Sequence, residues 1–106
     1  MTQNQHLDML LTELEQALKQ VNLWQQTRPS AQALASTQPF CIDTLSFEQW
    51  LQFIFIEKMR ILLQTKQALP TTLALLPLAE EVYKNSQFDK QILLNVIVKI
   101  DNVFAP

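Results

Sequence analysis

Few side chains in this chain could carry chemistry, and they stand apart from one another. His6 is the only histidine and Cys41 the only cysteine, and neither has a partner at metal-ligand spacing. A phosphate-binding loop needs glycine, and the chain has none. A nucleophile–base–orienter set would have to be built on one histidine near the terminus. Cys41 follows Phe40 and precedes Ile42, which suits a small, partly buried apolar residue. A reactive thiolate would need a cationic neighbour or a helix N-terminus, and Ser46 opens a helix only a few residues on. Glu80 and Glu81 are adjacent, so on a helix they diverge by about 100° instead of converging on one bond. Glu80 and Lys84 have the i,i+4 spacing of a solvated ion pair. Asp43 with Glu80 is the best pair for acid–base work, provided the fold joins them in an apolar setting. More simply, Asp43 ties down a local turn. These residue types predict no catalytic set, no metal and no cofactor.

One segment is not explained by helix packing. Residues 36–45 are polar and bent at Pro39, and they lead an aromatic, Phe40, and a carboxylate, Asp43, into the most apolar helix of the chain. Gln38, Pro39, Phe40, Asp43, Trp50 and Gln52 are the candidate binding residues. Phe40 and Trp50 would supply apolar anchors, and Gln38, Asp43 and Gln52 directional hydrogen bonds. The competing reading has Phe40 folded back as a plug that closes one end of a bundle, with Trp50, Phe53 and Phe55 as ordinary core.

The elements that must position these residues are helical. Leu7, Leu10, Leu11, Leu14, Leu18, Val21 and Trp24 recur at three- and four-residue steps and predict a helix over about 5–25, with Asp8 near its start and a Glu15–Lys19 pair outside. Pro29 closes it, and a long connection over 26–45 contains a short turn near 30–35. Ser46 with Gln49 reads as a capping box opening a helix over 47–65, apolar on more than one face. A strand over 50–56 fits the pattern alone, but the cap favours helix. Past Pro70, residues 71–76 allow a short turn, and Pro77 either starts a helix over 78–85 or kinks a longer one over 72–84. Ser86 would cap a last helix over 87–104, with Phe88, Ile92, Val96, Ile100 and Val103 as its stripe and Leu93, Ile97 and Phe104 widening it. The expected fold is all-α: a compact bundle of about four helices with a long ordered loop between the first and second.

Composition narrows the function classes. At 106 residues and 48% hydrophobic, the chain suits one folded domain spanning 1–106. Ordinary usage would place roughly seven glycines in such a chain, and their absence disfavours hairpin-rich sheets. A net charge of −2 with eight scattered basic residues disfavours autonomous nucleic-acid binding. The apolar runs are too short to span a membrane, no signal peptide opens the chain, and a lone cysteine suits the cytoplasm.

At Ser36-Thr37-Gln38-Pro39-Phe40, Asp43-Thr44, Trp50-Leu51-Gln52, Met59, Leu69-Pro70, Pro77, Glu80 and Asp101 with Phe104, the chain resembles the YqcC-like family of small bacterial proteins. The resemblance implies a compact helical bundle without an established activity. It also implies a genomic context, since in some gammaproteobacteria the family's gene lies beside that of a tRNA pseudouridine synthase. Family members often carry a tyrosine pair after the counterpart of Pro77. Leu78 and Ala79 stand there in this chain, so no role of those tyrosines carries over. The expected function is a non-catalytic interaction or accessory module that meets a protein partner or a second copy through residues 36–53. The alternative is a carrier that holds a small apolar or aromatic ligand between helices.

Overall fold

The computed structural model describes residues 2–86 and 90–105. Helix α1 (Gln3–Gln20) opens with a capping box: Thr2 Oγ1 accepts from the Gln5 amide, and the Gln5 side chain accepts from the Thr2 amide, both at 3.1 Å. Because it starts at Gln3, Asp8 falls beyond the first turn. Leu7, Leu10, Leu11, Leu14 and Leu18 form its wholly buried stripe. The helix ends short of the expected Gln25 because Asn22 turns left-handed, at φ 63°. The Leu23 amide then reaches back to Leu18 O at 2.9 Å and the Asn22 amide to Lys19 O at 3.1 Å, closing a Schellman motif. Val21 and Trp24 are half-buried beyond the helix.

After the single turn α2 (Ala31–Leu34), capped by Ser30, the chain enters a continuous helical rod. The rod comprises α3 (Phe47–Trp50), a π-helical segment (Leu51–Ile56) and α4 (Glu57–Gln64). The Ser46–Gln49 capping box forms as the sequence predicts. In the wider π segment, Leu51, Gln52, Phe53, Phe55 and Ile56 are all buried, which accounts for an apolar run broader than one α-helical face. A second Schellman motif ends α4, with Lys66 at φ 56° in the place a glycine usually takes. Every left-handed position in this chain must be filled by a residue that carries a Cβ.

Residues 71–75 form no helical turn. Helix α5 (Leu76–Tyr83) starts with Pro77 at its second position, so the proline starts a helix and does not kink one. No neighbouring side chain caps it. Asp101 of α6 (Gln91–Phe104) does so from across the bundle, accepting the Leu75 and Leu76 amides at 2.8 Å each. A carboxylate at the positive end of α5 satisfies two amides that no helical carbonyl can reach. The described part of α6 begins at Gln91; the expected start at Gln87, with Phe88 in the stripe, lies outside the described residues. Its buried face is Leu93, Val96, Ile97, Ile100 and Phe104, while Ile92 is exposed.

The core joins α1, the rod, α5 and α6, with α1 packed against α6 and α4, and α5 against α6. Among the described residues there is no strand, and no helix is long and apolar enough to cross a membrane.

Candidate functional site

The loop between α2 and the rod holds an unusual backbone. Pro39–Cys41 forms a 3₁₀ turn in which Phe40 and Cys41 are both left-handed, at φ 57° and 50°. Each such residue costs about 1–2 kcal/mol where a Cβ is present. Hydrogen bonds within the loop offset that cost. Ser36 Oγ donates to Asp43 Oδ1 at 2.5 Å and accepts the Gln38 amide at 3.1 Å. The Cys41 carbonyl accepts the amides of Thr44 and Leu45, at 3.0 and 2.8 Å. Thr44 Oγ1 donates to the Ala33 carbonyl at 2.7 Å, tying the loop to α2.

The twist buries Cys41 and turns its neighbours outward, leaving Phe40 37% and Ile42 66% exposed. Phe40 is thus neither a free anchor nor a complete plug. Its ring meets Trp50 edge-on at 5.0 Å, and Trp50 stacks on Phe55 at 5.7 Å. Facing this loop, α5 contributes Leu78 and the exposed Val82. With Leu45 and Phe47 beneath, these residues enclose a hollow of about 40 Å³. That is on the order of one water molecule, too little for an aromatic ligand. A wider apolar depression of about 480 Å³ runs between α1 and α6, with Met9, Ala17, Ile92 and Val96 in its lining.

Tyr83, which the sequence did not single out, borders the same region. Its hydroxyl donates to Glu48 Oε1 at 2.8 Å, its ring meets Phe47 at 5.9 Å, and the Lys90 ammonium sits over the ring at 5.9 Å. Burial, together with the Glu48 carboxylate, holds the hydroxyl protonated well above the usual tyrosine range. Glu48 and Tyr83 lie 35 positions apart, so no local pattern could announce the bond.

The predicted site residues divide. Phe40 and Trp50 touch, Pro39 starts the 3₁₀ turn, and Asp43 closes the loop as a turn residue, exposed to water. Gln38 takes part through its backbone: its amide donates to Ser36 Oγ and its carbonyl accepts the Cys41 amide. Gln52 is buried, and both ends of its amide serve the backbone of Gln25: Oε1 accepts the amide and Nε2 donates to the carbonyl, each at 2.9 Å. Its directional hydrogen bonds are made inside the protein.

Nothing assembles around the acid–base candidates. Asp43 and Glu80 are both exposed, and Lys84 pairs with Glu81 at 2.7 Å, not with Glu80. Cys41 is buried, His6 is exposed, and no cluster able to hold a metal exists among the described residues. What the arrangement can do is present a small apolar surface on a backbone held in one shape.

A family model, DUF446, described as tRNA pseudouridine synthase C, matches residues 6–103. A Haemophilus influenzae protein named as uncharacterized is 41% identical over 93 residues, covering 88% of this chain and 84% of that protein. The Escherichia coli protein YqcC, also named as uncharacterized, is 32% identical over 105 residues, covering 99% of this chain and 96% of its own length. Its solution NMR structure superposes with a TM-score of 0.85, at 32% identity, over 98% of this chain and 89% of that one. A Pectobacterium carotovorum protein named tRNA pseudouridine synthase C is 37% identical over 70 residues. That match spans 66% of this chain but only 19% of the longer protein.

Proposed function

The chain belongs to the DUF446 family, and on that premise we propose that it is a non-catalytic accessory module for a tRNA pseudouridine synthase, acting in the cytoplasm. It docks on the enzyme through the apolar surface formed by Phe40, Ile42 and Val82. The observation that carries this reading is the loop itself. Left-handed backbone at Phe40 and Cys41, in a loop bonded within itself, leads into an Ile42 that stands exposed to water. Two further observations support it. In the Pectobacterium relative a segment like this one occupies a fifth of a chain named as a synthase, so the rest of that chain has room for the enzyme. The acid–base candidates Asp43 and Glu80 both stand in water, a setting unsuited to general acid–base work.

The patch exposes on the order of a few hundred Å² of apolar area, well under the ~800 Å² per partner of a stable complex. Affinity should therefore be weak, and joining both parts in one chain would raise the effective concentration enough to offset that. The test is sedimentation of the purified chain with the tRNA pseudouridine synthase of the same organism. The expected result is a reversible one-to-one complex in the micromolar range, lost with Ile42→Asp while helical circular dichroism is unchanged. No complex at about 100 µM, or a complex indifferent to Ile42→Asp, would contradict the proposal.

A further inference from the structure

We infer that the synthase element seated on this patch is a short segment with one branched aliphatic side chain flanked by lysine or arginine, and that the patch takes no RNA. The inference rests on the docking reading above and adds the chemistry of the occupant. The aliphatic anchor follows from the hollow, whose walls are Phe40, Ile42, Leu45, Phe47, Leu78 and Val82. None of these side chains carries a hydrogen-bonding group, so a polar tip inserted there would lose its water without compensation. At about 40 Å³ the hollow admits a methyl-sized tip and excludes a base or an aromatic ring.

The basic flank follows from the rim. Asp43 stands next to Ile42, and Glu48 next to Phe47. The hydrogen-bond donors to both are neutral hydroxyls, Ser36 for Asp43 and Tyr83 for Glu48. A hydroxyl orients a carboxylate without cancelling its charge. Glu81 beside Val82 differs, since Lys84 neutralises it at 2.7 Å. Asp43, exposed beside the exposed Ile42, therefore gives the patch a negative edge that attracts an ammonium or guanidinium and repels phosphate. Glu48 contributes less, because the Lys90 ammonium lies over the ring of the tyrosine bonded to it. In this account the module touches the enzyme, and contact with tRNA is left to the enzyme.

Asp43→Asn tests the inference because the amide oxygen can still accept from Ser36, so the loop keeps its bond and loses only its charge. Affinity for the synthase, measured by isothermal titration at several salt concentrations, should fall about two- to fivefold, and its salt dependence should flatten. Val82→Phe, which fills the hollow, should weaken binding independently of salt. Total tRNA added to the chain alone, followed by fluorescence anisotropy, should not bind. Unchanged or tighter binding by Asp43→Asn, with Ile42→Asp still disruptive, would overturn the basic flank and leave the docking reading standing. Binding of tRNA that Ile42→Asp abolishes would overturn the exclusion of RNA. No complex with wild-type protein at all would overturn both the inference and the reading beneath it.

Discussion

Two irregular connections flank the short helix α2, and they are ordered in opposite ways. Residues 21–29 are held from outside. Gln52, deep in the π-helical segment, brackets the Gln25 backbone with two hydrogen bonds; Gln49 reaches the Gln25 side chain, and Arg28 pairs with Glu57 at 2.7 Å. Residues 36–45 are held mostly from within, through Ser36, Asp43 and the Cys41 carbonyl. A connection fixed by the body of the protein uses that body's polar groups and exposes little for a partner to grip. One that satisfies its own backbone can hold apolar side chains in water at small cost to the rest of the fold. Order alone does not mark a functional loop. The source of the order does.

The largest effect expected from breaking this contrast comes from Gln52→Ala. It removes both partners of a part-buried backbone unit, and stability should drop by about 1–3 kcal/mol in urea unfolding. The folded fraction should still bind the synthase as tightly as wild type. A shift under about 0.5 kcal/mol would mean that Gln52 is not the brace of the first connection. Ile42→Asp is the opposite case, because its side chain is already in water and only association should suffer.

A smaller effect, touching neither connection, comes from Glu15. Lys19, foremost, and Arg60 hold its carboxyl below the usual value, against the opposing pull of burial. A carboxylate with a depressed folded pKa stabilises the fold above its unfolded value near 4.5 and loses that contribution as pH falls through the folded value. Relative to wild type, Glu15→Gln should therefore cost about 0.2–1 kcal/mol at neutral pH, a difference that vanishes in acid. A difference that persists below that range would mean the ion pairs are not its source.

The sequence displayed what depends on neighbours a few positions apart. The leucine stripe of α1 and the Ser46–Gln49 box need only helical periodicity, and both are present. The hydrophobic run to Trp24 argued for continuing α1 towards Pro29, and the left-handed Asn22 that stops it went unread. The Asp101 clamp on α5 joins residues 26 and 25 positions apart, and the Gln52 bracket spans 27. Such pairs exist only once packing brings them together, and for that reason Gln52 read as a binding residue when it is a brace. Phe40 and Trp50 could each be named from the sequence as an apolar anchor, but not their edge-on contact. The left-handed turn that half-exposes Phe40 was not legible either, because a chain without glycine gives no local sign of where φ turns positive.

The most direct test of the docking surface is methyl NMR of the labelled chain during titration with the tRNA pseudouridine synthase. The account predicts that the Ile42, Val82 and Leu78 methyls shift or broaden first, while those of Ile92 and Val96, in the α1–α6 depression, stay in place. Perturbation centred on Ile92 and Val96, or none at saturating enzyme, would contradict it.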